Sequence, residues 1–425
     1  MAAQVHSGPV VSLGSLLSKE GRRDPNPHYA ELHRHGPVGR LTDPADRFDI
    51  VVHGYDAVHQ ALRDPALHVM TGEYPDRRDS RRWRAHPALR TLVSSIFFTE
   101  GPDHTRVRRL FGQAFSARRI AALEPAVVRI VDRRLDRLAE LGADGSPVDV
   151  LAEFALPVPS DVVGELLGVP EADRDWFPER VRAFGAILDL GVGVWRFQQA
   201  ADAAAEDLTG YFADLVAKRR AEPRDDLISE LASASSNTGA PVHGQAEGVQ
   251  LHDDELLANL LTMYNGGFVT TTHLIGNGLT LLLDRPHETE RVLADPVRAA
   301  GFVQEVLRYE PPTHFSIRWA AADTELAGVP VPRDSRVLVL LGAANRDPAR
   351  FTDPDGFDPG RDEGQPLSFG AGIHYCLGAV LSKLEGQLAL PMLLRRFPKL
   401  ALAGAPGERT TLMLRGYESV PVTLR

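Results

Sequence analysis

The chain has 425 residues, and its 57 Asp and Glu outnumber its 47 Lys and Arg, for a net charge of -10. That balance lacks the basic excess of a nucleic-acid binder. The single cysteine excludes an intramolecular disulfide and a four-cysteine zinc site, so stability must come from the core. Length alone allows two or three domains, and the evenly spread 43% of hydrophobic residues also allows one large one. The N-terminal stretch MAAQVHSGPVVSLGSLLSKEG has no basic region ahead of an apolar run, unlike a signal peptide. No stretch reaches the roughly 18 apolar residues of a spanning helix. The expectation is a soluble, cytoplasmic protein with no membrane contact.

In chain order, residues 48–63 predict a strand followed by an amphipathic helix. Residues 104–141 are dense in Arg, Leu and Ala at helical spacing, and 160–169 and 200–222 also predict helices. The segment 232–248 reads as a flexible polar loop. Residues 256–283 form a long apolar helix containing Gly266, Gly267, Gly276 and Gly278. Each interior glycine costs about 1 kcal/mol relative to alanine, so the helix needs a reason to keep them. One reason is close helix crossing, and the other is a groove for a ligand. Strand signals gather between 316 and 342, clearest in RVLVLLGAA (336–344), and SVPVTLR closes the chain as a short strand. Residues 345–366, rich in Pro, Asp and Gly, read as a second flexible segment, and loops of that length are often functional. There is no internal repeat. The fold class is mainly α with a small β-rich part.

The cysteine, Cys376, lies in LSFGAGIHYCLGAVL (367–381), just before a strongly helical pattern. Glycines permit tight turns and close backbone approach. The positive end of a helix dipole stabilises a thiolate. A thiolate so held suits a single axial ligand of haem iron. The alternatives are a buried structural thiol or a Cys–His hydrolase using His374, although catalytic partners usually meet across a fold and not within one loop.

The order Phe369, Gly370, Gly372, His374, Cys376, Gly378 resembles the haem-binding loop of the cytochrome P450 family. The resemblance extends from residue 25 to the end of the chain. It implies a single P450-like catalytic domain over 25–425, after an N-terminal extension 1–24, with a small β-rich subdomain. It implies haem b with Cys376 as axial ligand, and Phe369, Gly370 and Gly378 as cofactor-binding residues. Glu305 and Arg308, three apart on one helix face, resemble the family's Glu-x-x-Arg pair. With Arg361 they would lock the loop before the cysteine. His104 and Arg108, four apart on one face, suit an anion. By resemblance, with Arg318 and His374, they would grip the haem propionates. Arg106, Arg109, Arg118 and Arg119 would then face outward on the cysteine side, where an acidic ferredoxin docks.

The long apolar helix resembles the family's oxygen-activating segment, with Gly266 and Gly267 at the small positions and Thr270 at the threonine. The usual acid is replaced by Val269, which cannot move protons. Water near Thr270, a substrate group, or His273 one turn after Val269 would have to bring protons in. Family positions suggest a substrate pocket lined by Phe97, Phe98, Met263, Gly266, Gly267, His314 and Phe315. Phe184, before the glycine-rich turn 190–193, is expected in a mobile lid. His314 has two readings, a polar contact to substrate or a histidine packed near the propionates.

The resemblance therefore implies a monomeric, bacterial-type monooxygenase. It would hydroxylate, epoxidise or similarly oxidise a small molecule in secondary metabolite biosynthesis. Electrons would come from a ferredoxin and an NAD(P)H-dependent ferredoxin reductase. Val269 keeps open a haem-thiolate enzyme of unusual chemistry: desaturation, cyclisation, oxidative coupling, dehydration or a peroxide-driven reaction. A non-catalytic haem-binding protein is the alternative of another class.

Overall fold

The computed structural model describes residues 8–43, 47–72, 81–188, 196–233, 235–236, 251–407 and 411–425. Its centre is the 32-residue helix Asp253–Asp284. The sequence starts this helix with a reciprocal cap, in which the Glu255 carboxylate accepts from the His252 backbone N–H at 3.0 Å. The helix belongs to two apolar cores. Leu256 to Phe268 pack with the helices Gly101–Ala114, Phe177–Gly185 and Gln198–Ala221. Leu274 to Leu282 pack with the helices Ala117–Leu141, Pro296–Tyr309 and Ala379–Arg396. The half-exposed residues Val269, Thr270 and His273 fall at the junction between these cores.

Three of the four glycines in this helix serve close crossing. A Cβ on Gly267 would meet Val163 at 2.5 Å, one on Gly276 would meet Leu151 at 2.7 Å, and one on Gly278 would meet Leu390 at 2.8 Å. Gly266 differs, because the ring of Phe97 lies over it, with Cζ 2.9 Å from where a Cβ would stand.

The β-rich part is a six-stranded sheet in the order Val10–Val11, Val38–Leu41, Ile50–Val52, Arg336–Val339, Ser316–Ala320, Leu67–His68. Strand Arg336–Val339 pairs in parallel with Ile50–Val52 and antiparallel with Ser316–Ala320. The segment expected as an N-terminal extension supplies the edge strand Val10–Val11 and the buried side chains Leu13 and Leu16. The strand expected over 336–344 ends at Val339, and Leu341–Ala344 form a helical turn. The helix expected over 104–141 is broken at Phe115–Ser116. Segment 345–366, expected to be flexible, is pinned by Arg308 and Arg361 to the carbonyls of Asn345, Thr352, Pro354 and Gly356. Most of the polar loop 232–248 and the turn 190–193 lie outside the described residues.

Candidate active site

The cysteine loop takes its shape from two glycines. Gly370 and Gly372 have φ of 70° and 71°, the left-handed region that side chains resist. A Cβ on Gly372 would also meet the Leu62 carbonyl at 2.5 Å. The loop closes where the Cys376 N–H donates to the Phe369 carbonyl at 2.9 Å. Gly378 then caps the helix Ala379–Arg396. Cys376 is accessible, although surrounding protein atoms crowd its thiol. Burial pushes it above its ordinary range, against the Gly378 N–H and the Arg108 charge, which pull it down. The balance favours the thiol, so the helix terminus alone does not make a thiolate. A bound metal ion does, because it deprotonates a coordinating thiol.

Beside this loop four basic side chains gather. The rings of His104 and His374 lie 4.4 Å apart. His104 is buried, and its Nε2 has no hydrogen-bond partner. Burial, then His374 and Arg108, lower its pKa to about 4. Arg318 is 5% exposed and donates to Ser316 Oγ and the Ile317 carbonyl, with no ion pair among the described residues. Burial lowers its pKa to about 10, opposed by Glu100. Burial also lowers Arg108, opposed by Cys376. A buried guanidinium without an ion pair among the described residues, beside an imidazole nitrogen without a partner, calls for an anion. A macrocycle carrying two carboxylates above a cysteine ligand meets that need, so these residues fit haem.

One carboxylate stands among these basic side chains, and sequence reasoning missed it. Glu100 Oε1 accepts from the Val69 N–H at 2.8 Å and lies 3.1 Å from His374 Nε2. Burial raises its pKa, but the His374 and Val69 hydrogen bonds outweigh that and hold it below the usual carboxylate range. His374 is thereby oriented by Glu100.

The segment leading to the loop is locked by a buried ion pair. Arg308 donates to both Glu305 oxygens at 2.7 and 2.8 Å, and both residues are at most 4% exposed. Glu305 also accepts from the Asp358 N–H at 2.9 Å, and Arg361 Nε lies 3.6 Å from it. Removing one partner of such a pair costs about 3–5 kcal/mol, because the other charge is left buried.

On the central helix, Thr270 Oγ1 donates to the Gly266 carbonyl at 2.8 Å. The next hydroxyl, Thr271, reaches Ser382 on the helix that follows Cys376, at 3.0 Å. Val269 and Leu377, the residue after Cys376, pack against the same core. These contacts bring Thr270 and Cys376 into one region. His273 lies flat against the backbone of Gly416, where a Cβ would meet its Nδ1. Glu385, on the helix after Cys376, was also missed. It is 1% exposed, its Oε2 has no partner, and burial raises its pKa well above the ordinary value. A lone acid within an apolar pattern carries no sequence signal of this.

The expected pocket residues divide. Phe97 is 40% exposed and overlies Gly266, with Phe98 beside it and Met263 one turn earlier on the helix. Gly267 is instead a crossing glycine against Val163. Phe184 is fully buried in the core of helix Phe177–Gly185, which is no lid position. Phe315 packs under the sheet with Leu338, Leu340 and Leu412. His314 is 2% exposed, with its Nδ1 2.9 Å from the Tyr29 hydroxyl, the geometry of a packed histidine.

The outward arginines divide too. Arg106 is bound to Glu255 and Asp103, and Arg119 is paired with Glu230. Arg109, Arg118 and Arg119 are exposed and Arg106 is half-buried, and of these Arg109 and Arg118 make no ion pair among the described residues.

A sequence model of the family described as Cytochrome P450 matches residues 6–403. The chain is 40% identical to the 6-deoxyerythronolide B hydroxylase of Saccharopolyspora erythraea, over 93% of this chain and 95% of that enzyme. Among solved structures it is similar to P450BioI in complex with a hexadec-9Z-enoic acid-ligated acyl carrier protein. The TM-score is 0.84 at 30% identity, covering 96% of this chain and 100% of the other. It is also similar to CxnD, a cytochrome P450 for C–S bond formation in chuangxinmycin biosynthesis. That TM-score is 0.82 at 34% identity, covering 99% and 98%. With the cysteine loop and the cationic cradle in place, the conclusion is that the chain belongs to the cytochrome P450 family of monooxygenases, whose cofactor is haem b held by a cysteine thiolate.

Proposed function

We propose that this protein inserts oxygen into a small organic molecule, by hydroxylation, epoxidation or a similar oxidation, in the biosynthesis of a secondary metabolite. One observation carries the reading: the single cysteine precedes a helix beside four buried or half-buried basic side chains, and Ser382 fastens that helix to Thr271, the neighbour of Thr270 on the central helix. Cys376 would ligate the haem iron, and His104, Arg108, Arg318 and His374 would hold the propionates. Haem bound there supplies oxygen binding and activation. Thr270 orients a hydrogen bond at the oxygen side, and His273, one turn beyond Val269, is the candidate proton relay. Glu305, Arg308 and Arg361 keep the approach to the cysteine loop rigid. A ferredoxin with its NAD(P)H-dependent reductase supplies electrons, and the exposed Arg109 and Arg118 are suited to steer an acidic donor.

Val269 favours a second reading, an oxidation without oxygen insertion such as desaturation, ring closure or coupling. The similar CxnD, a cytochrome P450 for C–S bond formation, supports it. Turnover under oxygen-18 with a ferredoxin and reductase separates the two. Insertion labels the product, with one NAD(P)H and one oxygen consumed per product. An unlabelled oxidised product with the same consumption selects the second reading, and no turnover with any reductase returns the protein to a non-catalytic haem binder. His273→Ala with unchanged coupling of electrons to product removes the relay.

A further inference from the structure

The central helix carries three asparagines, and two of them are used by the fold. Asn259 accepts from the Ile96 N–H at 2.9 Å and donates to the Glu255 carbonyl at 2.7 Å. Asn277 donates to the Glu310 and Arg415 carbonyls at 3.1 and 3.4 Å. Asn265 is different. It is 4% exposed, its Oδ1 has no hydrogen-bond partner, and its amide makes no bond to any described residue. The helix hydroxyls Thr262, Thr270, Thr272 and Thr280 all satisfy themselves on the carbonyl four residues back. Among the described residues, Asn265 is the buried polar side chain of this helix that makes no hydrogen bond.

Its position gives the orphaned amide a use. Asn265 directly precedes Gly266, the glycine under the Phe97 ring. It stands one turn before Val269, about 6 Å along the axis and on the same stripe. Across from it is Gly185, at the end of helix Phe177–Gly185, where a Cβ would come within 2.9 Å of Asn265 Oδ1. The absent side chain at 185 is what admits the amide. A buried amide left unpaired costs about 1–3 kcal/mol, and a leucine of similar size would avoid that cost. An unpaired buried polar group in a native structure calls for a partner or a role, and a bound ligand is one that would supply it.

We propose that Asn265 is a specificity-determining residue, hydrogen-bonding a hydroxyl on an otherwise apolar substrate. A hydroxyl both donates and accepts, so it satisfies either end of the amide. A pocket that hydrogen-bonds a substrate hydroxyl rejects the analogue lacking it, because its own polar group is then left unpaired. The inference rests on the haem-monooxygenase reading.

The test uses a matched pair of probes, 4-phenylimidazole and 4-(3-hydroxyphenyl)imidazole, titrated into the haem-loaded protein and followed by the Soret shift. Wild type should bind the hydroxylated probe about five- to tenfold tighter than the parent. Asn265→Leu should abolish that preference and leave affinity for the parent compound within about twofold. The variant's ligand-free melting temperature should rise, because an unpaired buried amide has been removed. A preference that survives in Asn265→Leu, its absence in wild type, or a fall in melting temperature would each overturn the proposal and make Asn265 a structural residue. Failure of the parent compound to shift the Soret band would bring down the haem-site reading, and this inference with it.

Discussion

Thr271 Oγ1 donates to Ser382 Oγ at 3.0 Å, fastening the central helix to the helix that begins just after Cys376. Its neighbour Thr270 spends its hydroxyl within its own helix, on the Gly266 carbonyl. Adjacent threonines therefore have separable jobs. Thr271→Val should lower stability by about 1 kcal/mol in urea unfolding, with coupling of NAD(P)H to product little changed. Thr270→Val should leave stability within about 0.5 kcal/mol and raise peroxide released per NAD(P)H. Equal effects of the two variants on coupling would contradict this division.

The basic cradle has a direct consequence for cofactor affinity. Hydrogen bonds to a charged group contribute about 1.5–3 kcal/mol. His104→Phe and Arg318→Met should each weaken haem binding by roughly 10- to 100-fold, measured by titrating haem into the haem-free protein. Arg119→Ala, whose wild-type side chain pairs with Glu230, should leave it unchanged.

His53 sets an acid limit on the fold. It is fully buried, neither ring nitrogen has a partner, and His33 lies edge-on at 5.4 Å. Burial, then His33 and His35, lower its pKa to about 3. The native state holds this ring neutral, so the unfolded state binds its proton first as pH falls. Its contribution is complete above pH ~6.5 and is lost toward pH 3, on the order of 3 kcal/mol by pH ~4. His53→Phe should shift the acid-unfolding midpoint to lower pH, and an unshifted midpoint would show that another group controls it.

Glu385 has the opposite sign. Its raised pKa means that the native state keeps a proton the unfolded state releases. Its contribution is intact below pH ~4.5 and falls as pH rises toward the native pKa. Glu385→Gln keeps the shape and removes the titration. The variant should be more stable than wild type at neutral pH, with the gain shrinking toward pH ~4.5 in paired thermal melts.

The residues legible in the sequence are those whose spacing carries the chemistry. The cysteine loop is fixed by local backbone demands, the positive φ of Gly370 and Gly372, so its sequence is stereotyped. Glu305 and Arg308 meet across one helical turn, as do Thr270 and the Gly266 carbonyl. Contacts between segments far apart in the chain were invisible. Glu100 meets His374 across 274 positions, and Tyr29 meets His314 across 285. Family position alone did not show that Phe184 and Phe315 turn into apolar cores. Composition could not tell Arg119, which is paired with Glu230, from Arg118, which has no ion pair among the described residues.

The central claim is that Cys376 ligates haem, and the spectrum of the reduced protein under carbon monoxide tests it most directly. The account predicts a strongly red-shifted Soret band in wild type that disappears in Cys376→Ala. A preparation without haem, or a band at the position of histidine-ligated haem that Cys376→Ala leaves in place, would contradict it.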